Sequence, residues 1–213
     1  MSVYNSLKTL DEKTIDKSMN TIIQQTEYLS TTISDFRNFI KNDRHKQKFS
    51  IVDMINKSLS IADAALAKYY VQMITDLDTD GYCNGFESEI LQAMLNTLNN
   101  AKDALDKNIK NEEERFIFLS TDIKGDCIII KIKDNAGGVP DEIINKLFDP
   151  YFTTKGDNEG TGLGLYMCKN IVEDSCGTVS VANRKFIYNG INYVGAEFTI
   201  SFPIDGKAEF CNR

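Results

Sequence analysis

Asparagine is unusually frequent in one predicted helix, ESEILQAMLNTLNNAKDALDK. Four of its polar residues share a narrow arc because they are spaced four, three and four apart: Asn96, Asn100, Asp103 and Lys107. An interior asparagine weakens a helix by up to about 0.7 kcal/mol relative to alanine. A demand for amide oxygens therefore explains this face better than solvation does, although for Lys107 alone a solvated position is the simpler interpretation. Uncharged oxygens suit Mg²⁺ beside phosphates.

A carboxylate followed by glycines lies in the stretch KIKDNAGGVP, where Asp134 ends a predicted buried strand. Two glycines after a strand allow the backbone to approach a flat ligand closely. A carboxylate that accepts a hydrogen bond from an exocyclic amine would select adenine over guanine, whose carbonyl would face it unpaired. Taken alone, the segment also fits an ordinary turn, because Asp-Asn and Gly-Gly are turn signals.

Alternating glycines precede a second predicted helix in the stretch GTGLGL, at Gly160, Gly162 and Gly164. Their backbone N–H groups and the positive end of the following helix could together bind phosphates. The spacing differs from a P-loop and from G-x-G-x-x-G. The preceding polar loop, LFDPYFTTKGDNEG, is expected to act as a lid. Its Lys155 could reach phosphate oxygens, although a single exposed lysine is usually only solvated.

The elements that must position these groups alternate between helix and strand. Helices that cover one face of a mostly antiparallel sheet are the economical architecture, which makes the fold class α+β. We predict strands at 48–51 and 69–77, a loop at 78–86, helices at 52–68, 87–107, 141–148 and 161–174, and hairpins at 114–134 and 177–203.

The first 45 residues follow a different pattern. Apolar residues recur four and three apart, which predicts a long coiled-coil helix that packs against a partner helix. The capping box at Thr9 and Glu12 marks its start. An amphipathic helix that folds onto its own domain is the alternative. The predicted heptad positions are Ile15, Met19, Ile22, Thr26, Leu29, Ile33, Phe36 and Ile40.

Composition excludes some classes of partner. A net charge of −7 argues against nucleic acid, which requires a basic surface. The five cysteines lack C-x-x-C spacing, so neither a zinc site nor a disulfide framework is suggested, and reduced thiols in the cytoplasm are expected. No apolar run approaches the ~18 residues of a membrane span. We therefore expect a cytoplasmic chain, either free or as the cytosolic portion of a membrane sensor.

In their order and spacing, these segments resemble the ATP-binding domain of two-component sensor histidine kinases, from the superfamily shared with type II topoisomerases, mismatch-repair ATPases and the ninety-kilodalton heat-shock chaperone. NTLNNAKDAL resembles the asparagine box and DNAGGVP the first glycine box. LFDPYFTTK resembles the phenylalanine box and GTGLGL the second glycine box. The resemblance covers about residues 49–203 and implies a two-layer α/β sandwich that binds Mg-ATP.

The resemblance also implies roles for individual residues. It makes Asn100 the Mg²⁺ ligand, Asp134 the adenine anchor, and Asn96 and Asn100 the catalytic pair. Ala136 departs from the family pattern, which has glycine there, and this puts the local backbone geometry in question. The implied nucleotide-binding residues are Asn96, Asn100, Asp103, Lys107, Asp134, Gly138, Val139, Lys155, Gly160, Thr161, Gly162, Leu163, Gly164 and Leu165.

One residue distinguishes the branches of the superfamily. Hydrolytic members carry a glutamate that activates water at the position of Asn96. Without that base, transfer of the γ-phosphoryl group to a supplied acceptor is favoured over hydrolysis. TISDFRNFIKND resembles the second helix of the kinase dimerisation hairpin, which implies a homodimer and a response regulator receiver domain as partners.

The chain lacks the first hairpin helix, which carries the phosphoacceptor histidine in this family. Its single histidine, His45, precedes KQKF and is expected to be a linker residue. We therefore expect a partial dimerisation helix at 1–45 and a catalytic domain at 46–213, from a longer protein or a domain that acts in trans. A non-catalytic nucleotide-binding regulatory module and an ATP hydrolase remain the alternatives.

Overall fold

The computed structural model describes residues 46–155 and 160–204, together with Met19 and Thr26, which are both helical. The rest of the predicted dimerisation helix, and His45, lie outside the described residues, so the coiled coil and the domain boundary stay predictions. The chain divides into two units. The larger contains Asp43–Phe152 and Gly162–Arg213, and the smaller contains Met1–Asn42 and Thr153–Thr161.

A five-stranded mixed sheet forms one layer of the larger unit, in the order β2-β4-β5-β7-β6. β2 runs parallel to β4, and every other neighbouring pair is antiparallel. A separate antiparallel pair joins β1 to β3. The strands are β1 (Gln47–Ser50), β2 (Gln72–Asp76), β3 (Tyr82–Gly85), β4 (Phe116–Lys124), β5 (Cys127–Asp134), β6 (Thr178–Tyr188) and β7 (Ile191–Pro203).

Helices cover one face of this sheet, which confirms the predicted α+β sandwich. On β5, the alternate residues Ile128, Ile130 and Ile132 are buried in a core shared with the helices. That alternation is the period of a strand with one face against the core. The helices are α1 (Ile51–Lys68), α2 (Glu87–Asn108), α3 (Asp141–Ile144) and α4 (Gly164–Asp174), with a 3₁₀ turn at Glu112–Glu114.

Arg115, directly before β4, holds the ends of the two long helices. Its guanidinium donates to the carbonyl of Tyr69, just beyond α1, at 2.9 Å, and to that of Ile109, just beyond α2, at 3.0 and 3.1 Å. It also pairs with the Asp106 carboxylate at 3.0 Å. With 5% of its surface exposed, this charge satisfies the rule that a buried cation needs an anion and hydrogen-bond acceptors.

Several predicted boundaries move. The predicted loop at 78–86 contains β3, which is stabilised by pairing with the distant β1. The predicted helix at 141–148 ends at Ile144, and the one predicted from Thr161 begins at Gly164. Both hairpins are confirmed. The second turns at Asn189 and Gly190, whose φ angles of +48° and +79° are those of a type I′ turn.

The cysteines only partly match the prediction. Cys83, Cys168 and Cys176 form no disulfide, whereas Cys127 is disulfide-bonded, so the expectation of reduced thiols throughout is wrong. Among the helices in the described part of the chain, none has the length and apolar character of a membrane span.

Candidate functional site

Asp134 ends the central strand β5 and is almost completely buried, with 3% of its surface exposed. Its Oδ1 accepts hydrogen bonds from the backbone N–H groups of Ala136 at 2.9 Å and Ala196 at 3.1 Å. Burial raises the pKa of Asp134 above its usual range, and these backbone bonds offset only part of that effect. Oδ2 accepts no hydrogen bond from any other described residue, which leaves it available to a ligand.

Gly195 on β7 allows the backbone to approach Asp134. A methyl group built on Gly195 would lie 1.7 Å from the carbonyl oxygen of Asp134 and 3.1 Å from its Oδ1. No side chain can occupy that space. Gly195 was not among the residues predicted from the sequence, although a glycine inside a predicted strand is itself a signal of close backbone approach.

The segment from Asp134 to Val139, here called the glycine loop, turns at Gly137 and Gly138, whose φ angles are +92° and +84°. Positive values of this size favour glycine. Ala136 is not among the described residues with positive φ, and it is buried with 4% exposure. Alanine is therefore compatible with the backbone at the position where the family pattern has glycine.

Two further asparagines brace the glycine loop. Asn135 donates to the carbonyl of Glu114 at 2.7 Å and accepts from the N–H of Phe116 at 2.9 Å, which ties the loop to the start of β4. Asn108, the last residue of α2, donates to the carbonyl of Ala136 at 3.0 Å. Sequence reasoning assigned neither residue a role.

The asparagine face of α2 contains two different environments. Asn96 donates from Nδ2 to the carbonyl of Gly164 at 3.2 Å, and its Oδ1 accepts from Gln92 at 3.3 Å. Asn96 therefore connects α2 to the start of α4. One turn later, the half-buried Asn100 makes no side-chain hydrogen bond with any described residue. Its amide oxygen is open to a ligand.

The other two predicted residues of that face lie further along α2, and their role in binding stays a prediction. The carboxylate of Asp103 lies 3.1 Å from Nζ of Lys102. Lys107 is exposed in the last turn of the helix.

The second glycine segment places Gly162 against the chain that enters the lid. Its φ is +66°, and a methyl group built on it would lie 2.3 Å from the carbonyl carbon of Tyr151. Leu163 directly precedes α4, which begins at Gly164, and the carbonyl of Leu163 accepts from the N–H of Met167 at 2.8 Å. Leu165 and Val139 are partly buried against the core.

The predicted lid residues Lys155, Gly160 and Thr161 belong to the smaller unit. Within that unit, the N–H of Lys155 donates to Oγ1 of Thr153 at 3.1 Å. A methyl group built on Gly160 would lie 3.0 Å from the same oxygen. Their role in binding stays a prediction.

Residues 85–206, more than half of the chain, match the family described as histidine kinase-, DNA gyrase B-, and HSP90-like ATPase. The chain belongs to this ATPase family. The matched residues contain α2, the glycine loop and α4. The family is thus shown for the part of the chain that carries the candidate site.

Curated relatives of this ATPase domain are named as sensor kinases. Over 184 residues, the chain is 29% identical to an NtrY-like sensor histidine kinase of Rickettsia typhi, covering 84% of this chain and 29% of that protein. It is 27% identical over 190 residues to the signal transduction histidine-protein kinase AtoS of Escherichia coli, covering 88% of this chain and 29% of AtoS. The chain therefore spans less than a third of the length of either protein.

Solved histidine kinases share the fold of this ATPase domain. The nucleotide-free catalytic domain of histidine kinase ThkA superposes with a TM-score of 0.62 at 23% identity, covering 75% of this chain and 96% of that one. ThkA in complex with the response regulator TrrA gives a TM-score of 0.67 at 21% identity, covering 91% of this chain and 52% of that one. At these identities, the likeness concerns the fold.

The side chains at the candidate site of this ATPase domain are compatible with a metal ion that takes few ligands from the protein and the others from a bound molecule and water. The described residues contain no cluster of three or more His, Cys, Asp or Glu side chains able to hold a metal ion. The amide oxygen of Asn100 could provide one ligand. Mg²⁺ commonly takes only one or two protein ligands and completes its shell with phosphate oxygens and water.

Proposed function

We propose that this chain is the ATP-binding catalytic part of a sensor histidine kinase, and that it transfers the γ-phosphoryl group of Mg-ATP to a histidine outside these residues. The observation that carries the proposal is the buried Asp134, which ends the central strand and whose Oδ2 accepts no hydrogen bond from any other described residue. Membership of the ATPase family and the names of the curated relatives support it.

Asp134 would select the base. Its open Oδ2 accepts a hydrogen bond from the exocyclic amine of adenine, whereas guanine presents a carbonyl at that position. A buried carboxylate that faces a carbonyl loses its hydrogen bond and gains repulsion. The positive φ angles of Gly137 and Gly138 leave the loop without side chains where a flat base would pass.

Asn100 would bind Mg²⁺ together with the phosphates of ATP. When bound there, Mg²⁺ would neutralise the negative charge that develops on the phosphates during transfer. The N-terminus of α4 adds backbone N–H groups that favour an anion. The lid residues Lys155, Gly160 and Thr161 are proposed to complete the phosphate contacts.

The environment of Asn96 favours phosphoryl transfer over hydrolysis. An amide cannot take a proton from water, and the amide group of Asn96 is engaged by Gly164 and Gln92. Water therefore lacks a general base at this position. The bond between the γ-phosphorus and the bridging oxygen breaks, a bond to the acceptor imidazole nitrogen forms, and ADP leaves.

The proposed partners follow from the same function. A homodimer would form through the helix predicted for the first 45 residues. A response regulator would receive the phosphoryl group afterwards, and ThkA, which shares this fold, was solved with the response regulator TrrA. We propose a cytoplasmic location for the chain.

Phosphoryl transfer tests this function directly. The chain is mixed with Mg²⁺ and γ-labelled ATP and with a separate fragment that carries the family's first dimerisation helix. We expect labelled phosphohistidine on the fragment and none on a control fragment whose acceptor histidine is glutamine. Nucleotide binding without any labelled histidine would contradict the kinase and favour a regulatory module. Steady release of phosphate by the chain alone would favour a hydrolase.

Base selectivity is measured separately by thermal unfolding. A ligand that binds only the folded state stabilises it by RT ln(1 + [L]/Kd). Mg-ATP is therefore expected to raise the unfolding temperature, and Mg-GTP at equal concentration to raise it much less.

A further inference from the structure

Where its pairing with β5 ends, the β6–β7 hairpin contacts the glycine loop instead. The pairing of β7 with β5 ends at Lys133 and Glu197. Beyond that point, the carbonyl of Val194 accepts from the N–H of Gly137 at 2.9 Å. The glycine loop thus takes the place of a neighbouring strand along this part of β7.

Asn183 of β6 adds a second connection, because its side-chain amide pairs with a backbone residue of the loop as a neighbouring strand would. Its Oδ1 accepts from the N–H of Val139 at 2.7 Å, and its Nδ2 donates to the carbonyl of Val139 at 2.7 Å. One amide side chain therefore satisfies both backbone groups of one loop residue. Both bonds are short and complementary, as in a ladder pair between strands.

The same side chain fills the space beside Gly138. A methyl group built on Gly138 would lie 2.5 Å from Oδ1 and 3.0 Å from Cγ of Asn183. Gly137 has a similar φ, but a methyl group built on it would have no atom within 4 Å. Only Gly138 is therefore confined by Asn183, which provides a matched pair of glycines for a test.

Aromatic rings hold this hairpin in place. Rings from the hairpin contact two rings of β4 at centroid separations from 5.0 to 5.9 Å, in the range of favourable edge-to-face pairs. Nζ of Lys133 lies 4.1 Å from the centroid of Phe186. This aromatic cluster consists of Phe116, Phe118, Phe186, Tyr188 and Tyr193.

We propose that Asn183 is a positioning residue for nucleotide binding, which holds Gly137–Val139 in the conformation that receives the nucleotide. The inference rests on the proposed function, because it concerns the same site. The loop is fixed at its beginning by Asn135 and at its end by Asn183. Asn183 fixes the half of the loop that contains both positive-φ glycines.

The first test compares ADP affinity at saturating Mg²⁺ by titration calorimetry, well below the unfolding transition. Asn183→Ala removes two hydrogen bonds and is expected to weaken ADP binding about tenfold. Asn183→Asp keeps the shape of the side chain, but it cannot donate to Val139 and places a charge beside a carbonyl, so it is expected to weaken binding at least as much. Asn192→Ala, an exposed asparagine of the same hairpin, is the control and should bind like the wild type.

A double-mutant cycle separates positioning from a general loss of stability. In the wild type, Gly138→Ala should weaken ADP binding and lower the urea midpoint more than Gly137→Ala does, because only Gly138 meets Asn183. In the Asn183→Ala background, Gly137→Ala and Gly138→Ala should lower ADP affinity and the urea midpoint by about the same amounts, because only the backbone strain remains and it is similar at the two positions.

Different results overturn different claims. If the wild type binds ADP and Asn183→Ala or Asn183→Asp binds it equally well, the role of Asn183 is refuted while the proposed function stands. The same holds if Gly138→Ala is equally costly in both backgrounds. If the wild type binds no adenine nucleotide, both the proposed function and this inference fail.

Discussion

The candidate site has a proposed base end, formed by Asp134 and the glycine loop, and a proposed phosphate end, at Asn100. The two ends differ in how many hydrogen bonds the rest of the protein makes to them. At the base end, the glycine loop is braced by the side chains of Asn108, Asn135 and Asn183 and by the backbone of β7. At the proposed phosphate end, the side chain of Asn100 makes no hydrogen bond with any described residue.

This difference indicates how binding would proceed. A braced loop loses little conformational freedom when a ligand arrives, so the base end is organised in advance. At the proposed phosphate end, the side chain of Asn100 would become ordered through the metal and phosphates that it binds. Substitutions at the base end should therefore affect the fold or the choice of base, whereas those at the phosphate end should affect only the charged part of the ligand.

The strongest way to break the base end is Gly195→Ala. The new methyl group would lie 1.7 Å from the carbonyl oxygen of Asp134, and backbone on both sides cannot yield without loss of pairing. We expect a loss of more than about 3 kcal/mol in the free energy of unfolding, or failure to fold, measured by urea denaturation.

Gly164→Ala is the matched control, because its methyl group would have no atom closer than 3.8 Å. Its unfolding free energy should change by less than about 1 kcal/mol. Wild-type stability of Gly195→Ala would contradict the packing of β7 on Asp134.

Asp134→Asn should weaken nucleotide binding without lowering the stability of the unliganded protein. We expect a roughly ten- to hundredfold loss of affinity for ATP, because the amide must present a donor or a weaker acceptor to the adenine amine. The unliganded variant should be as stable as the wild type at pH 7, or more stable, since burial raises the pKa of Asp134 and makes its ionised form costly.

The pH dependence of the wild type provides the corresponding check on Asp134. Because the folded state binds this proton more tightly than the unfolded state, the contribution of Asp134 to stability is present below its usual pKa and lost as the pH rises through the raised value. ATP affinity should change in the opposite sense and fall as the pH drops through the raised pKa. An affinity that stays constant over that window would argue against an ionised anchor.

Asn100→Ala should sharpen the contrast by affecting only the phosphate end. We expect Mg-ATP affinity to fall about tenfold and Mg-free ATP affinity to change little, since Asn100 would act through the metal. The unliganded protein should gain about 0.5 kcal/mol, because alanine is the better helix former. Calorimetry with and without Mg²⁺ measures the split, and equal losses would remove Asn100 from the metal site.

The smallest effect is expected for Ala136→Gly, which restores the glycine of the family pattern. Ala136 is buried and is not among the described residues with positive φ, so the substitution mainly adds freedom to the unfolded chain. Stability should fall by about 0.5–1 kcal/mol and ADP affinity should stay within about twofold, a difference of roughly 0.4 kcal/mol. A marked gain in affinity would show that alanine distorts the loop after all.

Local patterns predicted the parts of the fold that local forces decide. The periodicity of α2 predicted a helix over 87–107, and the structure has Glu87–Asn108. The hairpin at 114–134 and the position of Asp134 at a strand end were also predicted. In each case, a few neighbouring residues carry the whole signal.

The missed features depend on residues far apart in the chain. The N–H of Ala196 reaches Asp134 across 62 residues, and Asn183 reaches Val139 across 44. β3 forms because β1 pairs with it, and neither strand has a strong pattern of its own. The spacing of residues in a single sequence does not reveal which distant residues will be in contact. Gly195 is an exception, because a glycine within a predicted strand indicates a close approach of the backbone.

Arg115 has a mechanical consequence. The guanidinium of Arg115, the residue before β4, is bonded to the end of α1 and to the end of α2. Because its N–H groups have a fixed planar geometry, these bonds are kept only if the two helix ends and the start of β4 move together. A displacement imposed on α1 would therefore be transmitted through the guanidinium to Phe116 and Asn135. In a signalling protein, such a coupling would transmit a displacement of one helix to the glycine loop that is proposed to bind the base.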